Sequence, residues 1–167
     1  SYWTLLPMWK DLLDTGLITR RLFKPMLNTP AYRLKEGGDE GCRLVDAVPG
    51  SFFMLKPGLL TPQDIEGLFD SRIFLYYEEK VLGRKFQEMG LKTVLVTDES
   101  YVHAHSATID KSLKRMVDKQ RLLHQSKLYY YREYLHAGPA LMAAAGVALD
   151  IILAEVWFLT VVCRMRW

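Results

Sequence analysis

The feature that most restricts the fold is an apolar segment near the C-terminal end of the sequence. From residue 140 to residue 162 almost every side chain is apolar, and only Asp150 and Glu155 interrupt the run before Arg164 and Arg166 follow it. About 20 mostly apolar residues suffice for a helix to cross a bilayer, so the length permits a transmembrane span. The segment must therefore lie in a protein core or against lipid.

Two acidic residues near the centre of this segment disfavour a simple span. Each charge at the middle of a spanning helix costs roughly 2.5–3.5 kcal/mol on insertion scales. Because Asp150 and Glu155 are five residues apart, about 140° separates them on a helix, and they cannot share one narrow polar edge. The sequence favours an interfacial or re-entrant helical hairpin, with a true span second and a buried soluble helix third.

The composition of the whole sequence is that of an ordinary globular protein. Of 167 residues, 50% are hydrophobic and 25% charged, which excludes disordered and collagen-like classes. With 22 basic and 19 acidic residues the formal charge is only +3, so no overall field demands nucleic acid. Cys42 and Cys163 are far apart and form no CxxC motif, which argues against a disulfide framework or zinc site and fits a reducing compartment.

Basic residues are concentrated between residues 111 and 132, where Asp118 is the only acid and the cations are Lys111, Lys114, Arg115, Lys119, Arg121, Lys127 and Arg132. This stretch could face phosphates or an anionic bilayer. The solvated face of a helix is the favoured interpretation.

Hydrophobic periodicity and turn signals predict strands interleaved with helices, which is typical of an α/β domain. The first part of the chain is predicted to hold two short helices within residues 1–27, broken at Pro7, Gly16 and Pro25, and then a loop over 28–41. A strand-like segment follows over 44–56, with a buried strand at 52–55, and then a helix from Thr61 to about Leu68 and another from Tyr77 to Gly90. The remaining predicted elements are a buried strand over 93–97, a shorter strand over 101–105 and a long basic helix over 109–135.

Two adjacent carboxylates, Glu78 and Glu79, stand at the start of a predicted helix directly after Phe74, Tyr76 and Tyr77. A helix N-terminus stabilises negative charge by about 0.3–1 kcal/mol, so on sequence alone the pair is explained by the helix dipole. The aromatic run supports a functional role, because a pocket wall of this kind desolvates a carboxylate, raises its pKa and makes it a better base. Such a base is needed when a hydroxyl attacks a sugar.

His103 and His105 follow a predicted strand. Residues two apart on a strand point to the same face, so both imidazoles could converge on one metal ion or phosphate. The structural and the functional interpretation of this pair are about equally supported.

Several of these pieces occur in the order typical of the C-terminal half of family 2 glycosyltransferases, and the chain resembles the rhamnosyltransferase-like branch in particular. The resemblance covers residues 44–110 best and rests on Gly50-Ser51-Phe52-Phe53-Met54, Phe69-Asp70, Phe74-Leu75-Tyr76-Tyr77-Glu78-Glu79, Leu82, Gly90 and His103.

The resemblance implies the roles of four residues. The acidic pair of the family normally reads Glu-Asp, with the second acid as catalytic base, so the base here is Glu79 with Glu78 beside it. Because Glu replaces Asp, the reach is one methylene longer, and which of the two acids acts stays open. His103, with His105 in reserve, takes the position that helps to hold a divalent ion, Mg²⁺ or Mn²⁺, at the donor diphosphate.

On the acceptor side the resemblance implies four further residues. Gly50 and Ser51 match the strand start that lines the acceptor, and Tyr76 belongs to the same acceptor-binding group. Asp70 matches the Phe-Asp pair of the family, for which a role in fixing the loop is as well supported as an acceptor contact.

The resemblance also implies the fold and the domain boundaries. We expect an α/β fold, the C-terminal half of a Rossmann-like nucleotide-sugar transferase of the GT-A type, over residues 1–135, followed by an apolar helical tail over residues 136–167. The family binds nucleotide and metal through an N-terminal half that ends in Asp-x-Asp, a motif absent from this sequence. We therefore expect a fragment that is inactive alone, whose metal binds mainly through the other half.

The expected function is inverting transfer of a sugar from a nucleotide-sugar to a cell-surface polysaccharide or lipid-linked acceptor, at the cytoplasmic face of the membrane, by a peripheral or tail-anchored protein. An alternative is a membrane-attached binding or scaffold module without chemistry. A metal-dependent hydrolase using His103 and His105 ranks lower, because His124 and His136 lie twelve residues apart in a predicted helix and do not simply complete a site.

Overall fold

The computed structural model describes residues 2–27, 41–73, 75–102, 113 and 115–164. These residues form two compact units. The sheet unit comprises the described residues within Ser1–Leu5 and Thr29–His103, and the helical unit comprises those within Leu6–Asn28 and Ala104–Trp167. The helices before residue 28 therefore group with the C-terminal helices.

The described part of the chain is mixed α/β and about 53% helical. Within its described part, the sheet has two antiparallel strands, β1 (Cys42–Val45) and β2 (Thr93–Val96), which pair Cys42 with Val96 and Val45 with Thr93. An isolated bridge joins Trp3 to Ala47 just after β1. The predicted strand at 93–97 is thus confirmed as a strand, but its predicted burial is wrong, since Val94 and Val96 are about half exposed.

The predicted strand over residues 52–55 is wrong. Phe52 is 60% exposed and Met54 is 83% exposed, so the run is not buried on both faces. Its aromatic rings contact other rings instead of entering a ladder, since the Phe52 ring lies 5.5 Å from that of Tyr101 and the Phe53 ring 6.3 Å from that of Phe69. Tyr101 and Val102 are not in a strand either, and the remainder of the strand predicted over 101–105 lies outside the described residues.

Both helices predicted within the sheet unit are confirmed. Helix α3 (Pro62–Glu66) begins after Thr61, whose hydroxyl accepts a hydrogen bond from the Asp64 backbone while the Asp64 carboxylate accepts one from the Thr61 backbone. This reciprocal capping box, with Pro62 at the first helical position, explains why the helix starts there. Helix α4 (Glu78–Glu88) ends at Gly90, which has a φ of 71°.

Helix α4 packs closely on the chain that follows β1. Val81 and Leu82 are buried, and a Cβ added to Gly83 would lie only 2.5 Å from the Asp46 carbonyl oxygen. The Asp46 carboxylate accepts hydrogen bonds from the Leu5 backbone at 2.8 Å and from the Gln87 side chain at 3.3 Å. The N-terminal end of α4 is thereby held near the residues that follow Ala47.

The helical unit contains four α-helices in its described part: α1 (Met8–Leu13), α2 (Leu17–Leu22), α5 (Met116–Glu133) and α6 (Pro139–Trp157). The first two confirm the short helices predicted before residue 27, and they start directly after Pro7 and Gly16 as expected. Helix α6 packs against the other three. Its buried stripe recurs at helical spacing and consists of Ala145, Leu149, Ile152 and Val156.

The apolar tail is one continuous helix from Pro139 to Val162, whose last five residues, Phe158–Val162, form a π-helical turn. The hairpin form of the prediction is therefore wrong, since no reversal interrupts the segment. By length and composition this helix could cross a membrane, and only 22% of its most apolar window is buried.

A buried ion pair joins α5 to α1. Lys127 Nζ lies 3.2 Å from Asp11 Oδ2, and both side chains are almost fully buried. Lys127 also donates to the Asp11 carbonyl oxygen at 2.7 Å and to the Thr15 hydroxyl, while the Tyr131 hydroxyl donates to Asp11 Oδ2 at 2.8 Å. The basic stretch predicted to be a solvated helix face thus includes one lysine that lies in the core.

Candidate active site in the sheet unit

The N-terminus of α4 follows two residues with unusual backbone geometry. Tyr76 and Tyr77 have φ angles of 66° and 71°, which is the left-handed region that bulky side chains rarely adopt. Tyr77 is buried, and the Lys80 ammonium lies 4.4 Å from the centre of its ring. Backbone strain of this kind costs about 1–3 kcal/mol per residue and is concentrated at functional sites. The turn before α4 is therefore a candidate part of a functional site.

Glu79 reaches the segment that follows β1. The Gly50 backbone N–H donates a hydrogen bond to Glu79 Oε1 at 3.1 Å. A predicted acceptor-binding residue and the predicted base are therefore in direct contact, although 28 residues separate them in the sequence. In this conformation one Glu79 oxygen holds the Gly50 loop.

Ser51 is held next to this contact. Its hydroxyl shares a hydrogen bond with the Tyr101 hydroxyl, and the Phe52 ring packs against the Tyr101 ring. Tyr101 thereby links the Gly50 loop to the chain that follows β2. Sequence reasoning did not assign Tyr101 a role, because nothing in its local pattern indicates a partner 50 residues away.

Glu78 faces a different part of the unit. It lines an open hollow of about 290 Å³, which we call the Glu78 hollow and whose walls are Leu68, Phe69, Asp70, Ser71, Ile73, Glu78 and Val81. This volume is near the lower end of the roughly 300–1,000 Å³ typical of small-molecule pockets. The walls are mainly apolar, with polar atoms from one serine and two carboxylates.

The surroundings of Glu78 raise the pKa of its carboxyl group. Partial burial raises its pKa above the ordinary glutamate value; a backbone hydrogen bond opposes this effect, and the neighbouring charge of Glu79 adds to it. A carboxylate with a raised pKa is a stronger base than an ordinary one and can accept a proton from a hydroxyl held beside it. The Glu78 carboxyl is thus partly desolvated, and Phe69 and Ile73 are apolar walls of its hollow. Whether the predicted aromatic run contributes stays a prediction, because Phe74 lies outside the described residues.

Asp70 lies in the wall of the Glu78 hollow but is engaged by its own loop. Its carboxylate accepts hydrogen bonds from the Arg72 backbone and guanidinium at 3.0–3.2 Å, and its side chain is only 6% exposed. These contacts fix the turn between Phe69 and Ile73. The contacts of Asp70 match the loop-fixing role of the two predicted for it.

The predicted metal ligands His103 and His105 lie outside the described residues, as does Phe74. Among the residues that the structure does describe, no group of three or more His, Cys, Asp or Glu side chains is arranged to hold a metal ion. The described side chains therefore do not by themselves assemble a divalent-ion site.

Comparison of the chain with protein-family models, with characterised proteins and with solved structures returned no match. The site is therefore interpreted from its own geometry. It has two parts: Glu79 with the Gly50 loop, and Glu78 with its hollow.

Proposed function

We propose that the chain carries the acceptor side of an inverting glycosyltransferase that moves a sugar from a nucleotide-sugar to a cell-surface polysaccharide or lipid-linked acceptor. The observation that carries the proposal is the hydrogen bond from Gly50 to Glu79, because it joins two segments that the family resemblance assigns to one site. The membrane location at the cytoplasmic face belongs to the same proposal.

In this proposal Glu78 and Glu79 have different roles. Glu78, with its raised pKa, takes the proton of the acceptor hydroxyl as that oxygen attacks the anomeric carbon. The bond from the anomeric carbon to the donor diphosphate breaks on the opposite side, the diphosphate leaves with the electron pair, and the configuration inverts. Glu79 holds the Gly50 loop in place.

The test is transfer of labelled sugar from a panel of nucleotide-sugars to membrane-derived glycans and lipid-linked acceptors, with Mg²⁺ and Mn²⁺ present. The protein is used in the length that its gene encodes. We expect a product whose anomeric configuration, read by NMR, is opposite to that of the donor. A product that retains the donor configuration would contradict the inverting mechanism.

Three matched variants assign the roles. Glu78→Gln should lower the transfer rate about 10²–10⁴-fold, the usual contribution of a general base. Glu79→Gln should have a smaller effect, because a glutamine oxygen can still accept the Gly50 hydrogen bond. Glu88→Gln, on the exposed C-terminal end of the same helix, should leave the rate unchanged.

A second candidate is a membrane-attached binding module without chemistry. The observation that favours it is that Glu78 and Glu79 face separate surroundings instead of one shared cleft. On this alternative no nucleotide-sugar supports transfer, and glycan binding, measured by calorimetry, is unchanged in Glu78→Gln.

A further inference from the structure

Helix α6 and the turn after it expose a large apolar surface in the helical unit. Seven large apolar side chains are each 50–66% exposed: Leu141, Val147, Ile151, Trp157, Phe158, Val161 and Val162. Asp150 is also exposed on this helix. Monomeric soluble proteins rarely expose large apolar patches unless they bind a partner or a membrane. The opposite stripe of the helix is already buried against its own unit.

The packing of α6 disfavours a transmembrane position. Its buried stripe, from Ala145 to Val156, covers about 16 Å of helix at 1.5 Å per residue. Helix α6 packs on α5, whose sequence includes Asp118, Lys119 and Arg121. A helix with such charges is poorly suited to hydrocarbon, so α6 with its partner fits the interface better than the interior of a bilayer.

Helix α2 is fixed beside the C-terminal third of α6. The Ile18 backbone N–H donates to Glu155 Oε1 at 2.8 Å. A Cβ added to Gly16 would lie 3.3 Å from both Ile152 Cγ1 and Glu155 Oε2, which shows how closely the two helices approach. One of the two acids that made a span unfavourable in the sequence therefore has a structural partner at the start of α2.

Helix α2 and the residues after it combine exposed apolar and basic side chains. Leu22 is 70% exposed, and Ile18 and Met26 are about half exposed. This segment carries three basic residues, Arg20, Arg21 and Lys24, and Arg20 forms an ion pair with Asp14 at 3.1 Å. Interleaved apolar and basic side chains are typical of segments that lie in the interface of an anionic bilayer.

We propose that α2 and the exposed face of α6 form one docking surface for a bilayer rich in anionic phospholipid, with α6 lying in the plane of the interface. The apolar side chains enter the boundary between headgroups and acyl chains, and the cations of α2 contact lipid phosphates. This inference selects a peripheral attachment over a tail anchor. It stands independently of glycosyl transfer.

The basic residues of α2 indicate that an anionic bilayer covers the docking surface. The cations of α2 are complementary to an anionic leaflet, which a second copy of this basic segment is not. Each basic residue near such a leaflet contributes about 1 kcal/mol, or about fivefold in affinity. Trp157 and Phe158, both about half exposed, add the aromatic contact that membrane interfaces favour.

The test is vesicle flotation of the whole chain with phosphatidylcholine alone and with phosphatidylcholine containing about a third phosphatidylglycerol. The double variant Leu22→Ser/Lys24→Glu changes two exposed side chains of the docking surface. Its control, Met54→Ser/Lys56→Glu, makes the same kind of change at two exposed positions of the sheet unit with the same spacing. Circular dichroism checks that both variants stay folded.

We expect the unmodified chain to float with anionic vesicles far better than with neutral ones, and less well as salt is raised. The Leu22→Ser/Lys24→Glu variant should bind anionic vesicles about tenfold more weakly or worse, and the control should bind as before. Ile151→Ser, on the exposed face of α6, should also weaken binding.

Two results would overturn the proposal. The first is equal, salt-resistant binding to neutral and anionic vesicles that the double variant does not change, as for a spanning helix. The second is no flotation at all, with concentration-dependent self-association that Ile151→Ser abolishes, which would make a second copy the occupant.

Discussion

Lys127 in the helical unit and Glu78 in the sheet unit are both ionisable side chains withdrawn from water, but their surroundings differ. Lys127 is 3% exposed and contacts Asp11, Thr15 and, through the shared carboxylate, Tyr131. Glu78 is only partly buried and faces a hollow that a ligand can enter. The first charge is enclosed by protein partners, and the second is open to a reactant.

The difference extends to the two units as a whole. In the part of the chain that the structure describes, all five buried polar or charged residues belong to the helical unit, namely Asp11, Gln120, His124, Ser126 and Lys127. A buried charge that loses its partner is costly, so these residues bear on stability. In the sheet unit, Glu78 is only partly buried and faces its hollow, so it can change its protonation state without breaking an enclosed ion pair.

The largest effect that separates the units is loss of the buried ion pair. Lys127→Met should lower the free energy of unfolding by about 3–5 kcal/mol, because it leaves Asp11 charged and buried without its ammonium partner. Arg121→Met changes an exposed cation of the same helix and serves as the control. Urea unfolding measures both, and equal values for the two variants would mean that the pair contributes nothing.

The second effect is a pH dependence located in the helical unit. The pKa of His124 is lowered from 6.5 to about 4; burial is the main cause, the charge of Lys127 adds to the lowering, and the charge of Asp150 opposes it. The unfolded chain therefore binds a proton here that the native chain does not, so stability falls as pH is lowered from 6.5 towards 4 and is complete above 6.5.

A shift of this size corresponds to about 3 kcal/mol, at 1.36 kcal/mol per pKa unit. We expect the free energy of unfolding, measured by urea titration across that pH range, to fall more steeply for the unmodified chain than for His124→Gln. Parallel curves for the two proteins would show that His124 titrates alike in the native and unfolded states.

A smaller effect tests how the sheet unit is held together. Gly83→Ala should destabilise the chain by about 1–3 kcal/mol, because the new methyl group meets the Asp46 carbonyl and the Ala47 Cβ and forces the backbone to move. Gly146→Ala in α6 meets nothing within 4 Å and should stabilise by about 0.5–1 kcal/mol. The two thermal unfolding curves should therefore shift in opposite directions, and a shared direction would refute the close approach at Gly83.

Local signals in the sequence predicted the helices well. Thr61-Pro62 marks the start of α3, and Gly90 marks the end of α4. Both signals are reliable because a helix cap and a glycine in the left-handed conformation depend only on residues within one turn of the chain. The apolar run at residues 52–55 misled the prediction, since its rings pack on Phe69 and Tyr101 rather than in a ladder. Continuous apolar character does not say which partner covers it.

The site was predictable only in part. The family resemblance assigns Gly50 and Glu79 to one site, and the two residues are in contact. The Glu78 hollow depends on Leu68, Phe69 and Ile73, and no sequence motif indicated a role for these wall residues. The Asp11–Lys127 pair joins residues 116 apart. Neither residue has a local sequence pattern that distinguishes a buried charge from an exposed one. Only the tertiary packing of the helices determines that these two charges are buried as a pair.

The central claim is that Glu78 is an acid poised for proton transfer, unlike the enclosed charges of the helical unit. The most direct measurement is the titration of the Glu78 carboxyl by carbon-13 NMR in the unmodified chain and in Glu79→Gln. We expect a pKa above the ordinary glutamate value that falls when the Glu79 charge is removed. An ordinary pKa that does not respond to Glu79→Gln would contradict the account and favour a binding module without chemistry.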